Sequence, residues 1–252
     1  SPSDCERLVR MEMSRKRWQQ ALAWLEKGVE LEPTRNWHNE GSHGLESKKP
    51  EILAKLGRKD ESLAMAWSDF ERYPSDHTYE RFMEYVPKVT RAEWHMRAME
   101  TAAQTDIHGF MDICVATGEW ERLASRVLVE SDGALEDLSH YTLEPAAEGL
   151  AKRNIPAATK LYRALGFRIL TSKKSKYYDA ALSHFQCARD LCREANLDSE
   201  WQAIVDRVYA EHSRKYSFIP GFERLLAGKT ESNLSFAEKA RARWQQQVTR
   251  WE

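Results

Sequence analysis

The sequence predicts an all-α fold, an irregular helical solenoid of about six helix pairs. The first observation is a pattern of large and small side chains that recurs along the chain. The second is the small number of residues that interrupt helices, with 8 Pro and 11 Gly in 252 residues. The third is that no segment alternates between apolar and polar residues for long enough to form a strand. Long helices packed on their neighbours are therefore expected.

The repeated pattern is clearest at Trp18-x2-Ala21-Leu22-x2-Leu25-x2-Gly28, which Pro33 follows. Small residues at this spacing let a neighbouring helix approach, large ones fill the groove between helices, and the proline ends the helix. The pattern returns at spacings of about 24 to 61 residues, in copies that begin at Ser62, Trp120, Ala157 and Tyr178. Each copy predicts a helix that buries its apolar stripe on its neighbours.

Partner helices are predicted between the copies. The clearest starts near Pro50 and ends at Gly57, with proline in the first turn and glycine after the last. Others are expected over residues 77–87, 91–104, 106–117 and 199–216, and a helix pair over residues 134–152 with Pro145 at the start of its second helix.

Two polar stretches are predicted to be irregular, an exposed loop at residues 34–49 and a linker at residues 227–235. Ser235-Phe-Ala-Glu238 is a capping box that starts a terminal amphipathic helix. This helix is expected to cap the solenoid, and the alternatives are docking elsewhere and a frayed tail. The predicted domains are a repeat domain over residues 1–227 and a linker with a terminal helix over residues 228–252.

The repeated segments resemble the second helix of a tetratricopeptide repeat, in which an aromatic residue is followed by Ala-Leu and then by Ala and Pro. Several longer phrases resemble the C-terminal helical region of bacterial SWIM zinc-finger proteins. These are Lys55-Leu-Gly-Arg-Lys-Asp-Glu-Ser-Leu-Ala-Met-Ala-Trp67, Phe70-Glu-Arg-Tyr-Pro-Ser75, Lys173-Lys-Ser-Lys-Tyr-Tyr-Asp-Ala-Ala-Leu182 and Ala210-Glu-His-Ser-Arg-Lys215.

The resemblance to SWIM proteins runs from about residue 16 to residue 227 and implies a repeat-like helical module without an assigned activity. The SWIM motif itself, Cys-x-Cys followed by Cys-x-His, does not occur in this sequence. The resemblance therefore implies that the zinc finger lies in another part of a longer parent protein, and no zinc is predicted for these residues.

Composition narrows the class of protein. No apolar run approaches the roughly 18 residues that span a bilayer, and no secretory signal precedes the first helix. The four cysteines, Cys5, Cys114, Cys187 and Cys192, have no disulfide framework spacing and fit reduced thiols. A cytoplasmic protein without membrane segments is expected.

Charge is unevenly distributed along the sequence. Residues 1–152 contain 20 Lys and Arg against 28 Asp and Glu, a net charge of −8. Residues 153–252 contain 18 against 11, a net charge of +7. Scatter over solvated helix faces would produce such a difference, and so would an elongated body with an acidic and a basic end that orients a charged partner.

No catalytic or metal-binding pattern stands out. His184-x2-Cys187-x4-Cys192 supplies three soft ligands where structural zinc takes four, and its cysteines are expected to pack as small apolar residues. Glu40 and His43 have the Glu-x-x-His spacing of di-iron helices, but they lie in a glycine-containing loop. Nucleophile elbows and phosphate-binding glycine loops are missing from the sequence. We therefore predict a protein without enzymatic activity, cofactor or metal.

Candidate partner-binding residues are exposed aromatics and two basic clusters. Trp37 lies in the polar loop, and Trp244 and Trp251 lie on the terminal helix. Two clusters of basic and aromatic residues span residues 173–178 and 207–216. Their members are Lys173, Lys174, Lys176, Tyr177 and Tyr178 in the first, and Arg207, His212, Arg214, Lys215 and Tyr216 in the second. Basic residues beside aromatics can contact phosphates and stack on bases.

The predicted function is a protein-protein interaction or scaffolding module of a larger cytoplasmic bacterial protein, with a protein or peptide as partner. Stacked helix pairs form a groove in which such a ligand can lie. The alternative is a nucleic-acid-associated module that uses the two basic clusters. The sequence predicts neither the identity of the partner nor the oligomeric state.

Overall fold

The computed structural model describes residues 1–31, 45–172 and 174–228. Within these ranges the protein is all-α, with fourteen α-helices, two short 3-10 helices and no strand. The all-α prediction is thus confirmed for the described residues. The chain divides into two compact units, Ser1–Leu123 and Ala124–Glu252. The prediction of one repeat domain over residues 1–227, and that of a solenoid, stay predictions.

The first unit is built from helices that pack on their neighbours in the chain. In order these are α1 Pro2–Ser14, α2 Trp18–Glu30, α3 Lys49–Lys55, α4 Lys59–Arg72, α5 Asp76–Tyr85, α6 Arg91–Ala103 and α7 Ile107–Thr117. Helix α8, Trp120–Val129, follows, and the boundary between the units falls within it. Helix α1 packs on α2, α3 on α4, and α4 on α5, while α7 contacts both α5 and α6.

The second unit is centred on a long helix. Its helices are α9 Asp132–Glu136, α10 His140–Ala151, α11 Ile155–Thr171, α12 Tyr178–Glu194, α13 Asp198–His212 and α14 Ile219–Leu226. Helix α11 packs against α9, α10 and α12, and α12 in turn packs against α13 and α14. The 3-10 helix Ser175–Tyr177 leads into α12.

The repeated sequence pattern marks the buried faces of the helices. The small and large positions of the five copies are largely inaccessible to solvent, among them Ala21, Leu25, Ala66, Phe70, Leu123, Val127, Ala157, Leu161, Ala181 and Phe185. Trp67 is buried, whereas the side chains of five other tryptophans are half-buried, namely Trp18, Trp24, Trp94, Trp120 and Trp201. The small residues of the pattern are therefore buried between helices, and most of the tryptophan rings stay partly accessible to solvent.

The core of the second unit is aromatic. Phe185 lies edge-on to Phe167 and Phe222, with ring centroids 5.2 and 5.7 Å apart, and Phe218 stacks on Phe222. A buried arginine ties α14 to this core, because Arg189 Nη1 donates a 2.7 Å hydrogen bond to the Leu225 carbonyl oxygen. Helix α14 is therefore held both by apolar packing and by a charge-assisted hydrogen bond.

Several predicted boundaries differ from the structure. Pro145 lies in the second turn of α10 instead of starting a helix, and the pair expected over residues 134–152 is α9 followed by α10. Cys187 is exposed instead of packing in the core, although Cys192 is buried. Helices α1 and α14 had no predicted counterpart. Most of the predicted loop at 34–49, and the terminal helix after Ser235, lie outside the described residues, although Lys49 already begins α3.

No helix in the described parts of the chain combines the length and the apolar character needed to cross a membrane.

Candidate ligand-binding groove

A groove of about 710 Å³ opens in the second unit. Helix α11 forms its floor with Leu165, Arg168, Ile169 and Ser172. One wall comes from α9, α10 and the turn between them, and its lining residues are Gly133, Glu136, Asp137, His140, Tyr141 and Glu144. The other wall comes from the approach to α12 and its first two turns, with Lys174, Tyr177, Ala180 and His184. We call this cavity the α11 groove.

Local sequence signals set the positions of the groove helices. Ser131 caps α9 through its side-chain oxygen, which accepts from the Ala134 amide, and Ser139 caps α10 in the same way from the Tyr141 amide. Asn154 caps α11 by accepting from the Ala157 amide at 3.0 Å. Such caps satisfy the free amides of a first turn. The helices that form the floor and one wall of the groove therefore begin at polar capping residues in the sequence.

The charges in the groove are segregated. The acidic side chains, Glu136, Asp137 and Glu144, all belong to the α9 and α10 wall. The cationic side chains, Arg168 and Lys174, lie at the end of α11 and just after it. Arg168 occupies the last turn of α11, where a cation is favoured by the helix dipole. The acidic and the basic side chains of the groove thus come from different elements of the chain.

Glu136 is neutralised from behind the groove. Arg207 on α13 forms two hydrogen bonds with its carboxylate, Nη1 to Oε1 at 2.5 Å and Nη2 to Oε2 at 3.1 Å. The same guanidinium lies 4.0 Å from the centre of the Phe167 ring and also pairs with Glu211. Asp137 and Glu144 therefore carry the uncompensated negative charge of the wall.

His184 lies on the α12 wall with its Nε2 3.6 Å from Glu144 Oε1. Its ring stacks on Tyr162, with centroids 6.3 Å apart, and its side chain is 14% exposed. Burial, with the nearby His140 as a second cause, lowers the pKa of His184 to about 4, despite the neighbouring carboxylate. The imidazole is therefore neutral at physiological pH and leaves the charge of Glu144 in place.

This lowered pKa predicts acid sensitivity. Because the unfolded pKa is about 6.5, the unfolded state binds more protons than the folded state between pH 6.5 and 4. Stability should be full above pH 6.5 and fall by up to about 3 kcal/mol toward pH 4. We expect His184→Gln to remove this part of the dependence of the unfolding free energy on pH. Urea unfolding of the wild type and the variant at pH 7.5, 6.0 and about 4.5 measures this free energy. An equal loss of stability with falling pH in the two proteins would contradict the assignment of the effect to His184.

The predicted partner-binding residues separate in the structure. Of those described, only Lys174 lines the α11 groove. Arg207 is paired with Glu136, and its role in binding a partner stays a prediction. Lys176 lies over the Tyr177 ring at 4.8 Å and Lys215 over the Tyr178 ring at 5.8 Å, while Arg214 is exposed. Lys173, Trp37, Trp244 and Trp251 lie outside the described residues.

Sequence reasoning missed most of the groove. The predicted helix pair over residues 134–152 names only Pro145, and not His140, Tyr141 or Glu144. The one local signal is that His140 and Glu144 are four residues apart and share a helix face. The contact between Glu144 and His184, forty residues later in the chain, has no local signal in the sequence. Tyr141 and Tyr177, at 80% and 46% exposure, add aromatic surface on both walls.

A second polar cluster lies in the first unit. The Tyr79 hydroxyl is 2.7 Å from His95 Nδ1, and His95 Nε2 is 3.0 Å from Glu119 Oε1. Burial raises the pKa of Tyr79 and raises that of Cys114 to about 12, so neither group is an activated nucleophile. The cluster links α5, α6 and the segment before α8. It is best explained as a structural hydrogen-bond chain.

In the described residues, no group of three or more His, Cys, Asp or Glu side chains is arranged to hold a metal ion. The predicted absence of metals and cofactors itself stays a prediction.

A model of a protein family matches residues 6–219, and its description is "family of unknown function" (DUF6880). The match begins in α1 and ends at the start of α14, so it includes the whole α11 groove. No curated protein matches the chain.

Proposed function

The chain belongs to DUF6880, a family of unknown function, and we propose that it is a protein-protein interaction module whose α11 groove holds a segment of a partner protein. One observation carries the proposal, which is that four helices present an open channel with exposed tyrosines on both walls and charged groups along them. Exposed aromatic side chains beside polar groups are typical of interfaces. A polypeptide segment is the ligand that such a channel fits best.

The chemistry of the groove favours binding over catalysis. Its neutral imidazole has a pKa of about 4 and is a weak base at physiological pH. The hydroxyl groups on its floor belong to Thr171 and Ser172, and the Ser172 hydroxyl donates to the Ile169 carbonyl oxygen at 2.9 Å. A nucleophile paired with a base is therefore missing from the described lining of the groove.

The test is a comparison of two tryptophan variants. Ala180 is exposed and lines the groove, so Ala180→Trp should obstruct the channel without touching the core. Ser183 is exposed on the same helix but does not line the groove, so Ser183→Trp is the matched control. The wild type and Ser183→Trp should capture the same proteins from a lysate of the source organism. We expect Ala180→Trp to capture about tenfold less of these proteins, or none.

Quantitative mass spectrometry of the three captures measures the effect. Circular dichroism of each variant checks that the helices are intact. Identical capture by all three proteins would contradict a role for the groove.

A nucleic-acid-associated function is the second candidate, because the two predicted basic clusters meet where Lys215 lies over Tyr178. Tyr177 and Tyr216 are exposed nearby in sequence, at 46% and 84%. Against it, Arg207 is neutralised and Tyr178 is buried, so neither is free for phosphate or base contacts. Binding to single-stranded and duplex DNA at about 50 mM salt, abolished by Lys176→Glu with Lys215→Glu, would favour this candidate.

The larger setting of the module is part of the same proposal. A tetratricopeptide-like solenoid, a relationship to the helical region of SWIM proteins and a cytoplasmic bacterial parent protein are consistent with an interaction module. The groove experiment does not depend on any of them.

A further inference from the structure

The α11 groove carries acidic side chains on its α9 and α10 wall and basic side chains at the end of α11 and just after it. Asp137 and Glu144 face the channel from the α10 side. Arg168 and Lys174 face it from the end of α11 and the approach to α12. Within the described residues, no ion pair joins these two cations to the acidic wall. The charges of the channel are thus available to a ligand.

Two contacts decide which acidic groups of the wall stay available to a ligand. The first pairs the carboxylate of Glu136 with Arg207 of α13. The second is the neutral imidazole of His184, which lies 3.6 Å from Glu144 without cancelling its charge. A carboxylate that has no cationic partner in the protein gains Coulomb energy from a cationic group of a ligand. The same holds for Arg168 and an anion.

We infer that the ligand of the α11 groove is a polypeptide segment of mixed charge, whose basic side chain contacts Asp137 and Glu144 and whose acidic side chain contacts Arg168 and Lys174. This inference rests on the proposed interaction function and specifies its partner. A uniformly acidic or uniformly basic segment would place like charges together on one side of the channel.

The experiment is selection from a phage-displayed library of random peptides of about twelve residues. The complete chain is the bait, in parallel with Ala180→Trp and Ser183→Trp. We expect peptides that bind the wild type and Ser183→Trp but not Ala180→Trp, and that share one basic and one acidic position at a constant separation. The dissociation constant of a synthetic copy is then measured by fluorescence anisotropy.

A charge exchange tests direct contact. The double variant Asp137→Lys with Glu144→Lys should bind the selected peptide about tenfold more weakly, or worse. A peptide whose basic residue is replaced by Glu should bind that variant again. Lys174→Glu should lower the affinity for the original peptide and should bind a peptide whose acidic residue is replaced by Lys. Recovery by the exchanged peptide excludes damage to the fold as the cause.

The outcomes separate the two proposals. Groove-dependent peptides without a paired basic and acidic position, or without recovery on charge exchange, would overturn the mixed-charge inference and leave the interaction function standing. Failure to select any peptide that distinguishes Ala180→Trp from Ser183→Trp would overturn both.

Discussion

Gly109→Ala should destabilise the first unit by more than about 3 kcal/mol, among the largest effects expected of a single methyl group. A Cβ at this position of α7 would lie 2.1 Å from the carbonyl oxygen of Pro74. The obstructing atom belongs to the backbone between α4 and α5, so no change of rotamer relieves the clash. Either α7 must move away from Pro74 or the turn before α5 must open.

Chemical denaturation followed by circular dichroism measures this loss as a shift of the unfolding midpoint. Gly133→Ala is the control, because a Cβ there meets no heavy atom of the described residues within 4 Å. In the short helix α9, alanine should be neutral or stabilise by up to about 1 kcal/mol. Equal stability of the two variants would show that α7 is free to shift at Pro74.

The second large effect concerns Gly166 on the core side of α11. A Cβ at Gly166 would lie 2.5 Å from Cζ and 2.6 Å from Cε1 of Phe185, whose ring is fully buried. Phe185 cannot swing aside easily because Phe167, Phe218 and Phe222 surround it. We expect Gly166→Ala to cost about 2 to 3 kcal/mol through overpacking.

A double-mutant cycle identifies the cause of that cost. Phe185→Leu shortens the obstructing ring and alone should cost about 1 to 3 kcal/mol because it leaves a cavity. Together the two changes should cost at least about 1 kcal/mol less than their sum, since the new methyl group occupies the space the ring has left. Strict additivity in urea titrations would show that Gly166 is needed for another reason.

The buried helix faces could be predicted because helix packing leaves a local trace in the sequence. Close contact needs small residues at fixed intervals, and Ala21, Ala66, Ala157 and Ala181 are all buried at the positions the pattern assigns. The same reasoning misplaced Pro145, because a proline at the start of a helix and one in its second turn look alike in sequence. Tertiary packing decides between them.

The groove could not be predicted because its chemistry is assembled from four helices. Lys174 has basic neighbours in the sequence, but the other cation in the described lining of the groove is Arg168, which belongs to α11. Arg207 belongs to the second basic cluster of the sequence, although its charge satisfies Glu136, 71 residues away in the chain. Net charge along a sequence does not show which charges cancel in space.

The floor of the groove has an entropic consequence for the ligand. Helix α11 has 17 residues, and the face opposite the channel is held in the core through Phe167 and Leu170. A surface built on regular helices is already ordered before a ligand arrives, so association orders little of the protein itself. Most of the conformational entropy lost on binding must then come from the incoming segment. Stiffening that segment, by a proline or a cyclic link, should therefore tighten its binding more than any change that stiffens the groove.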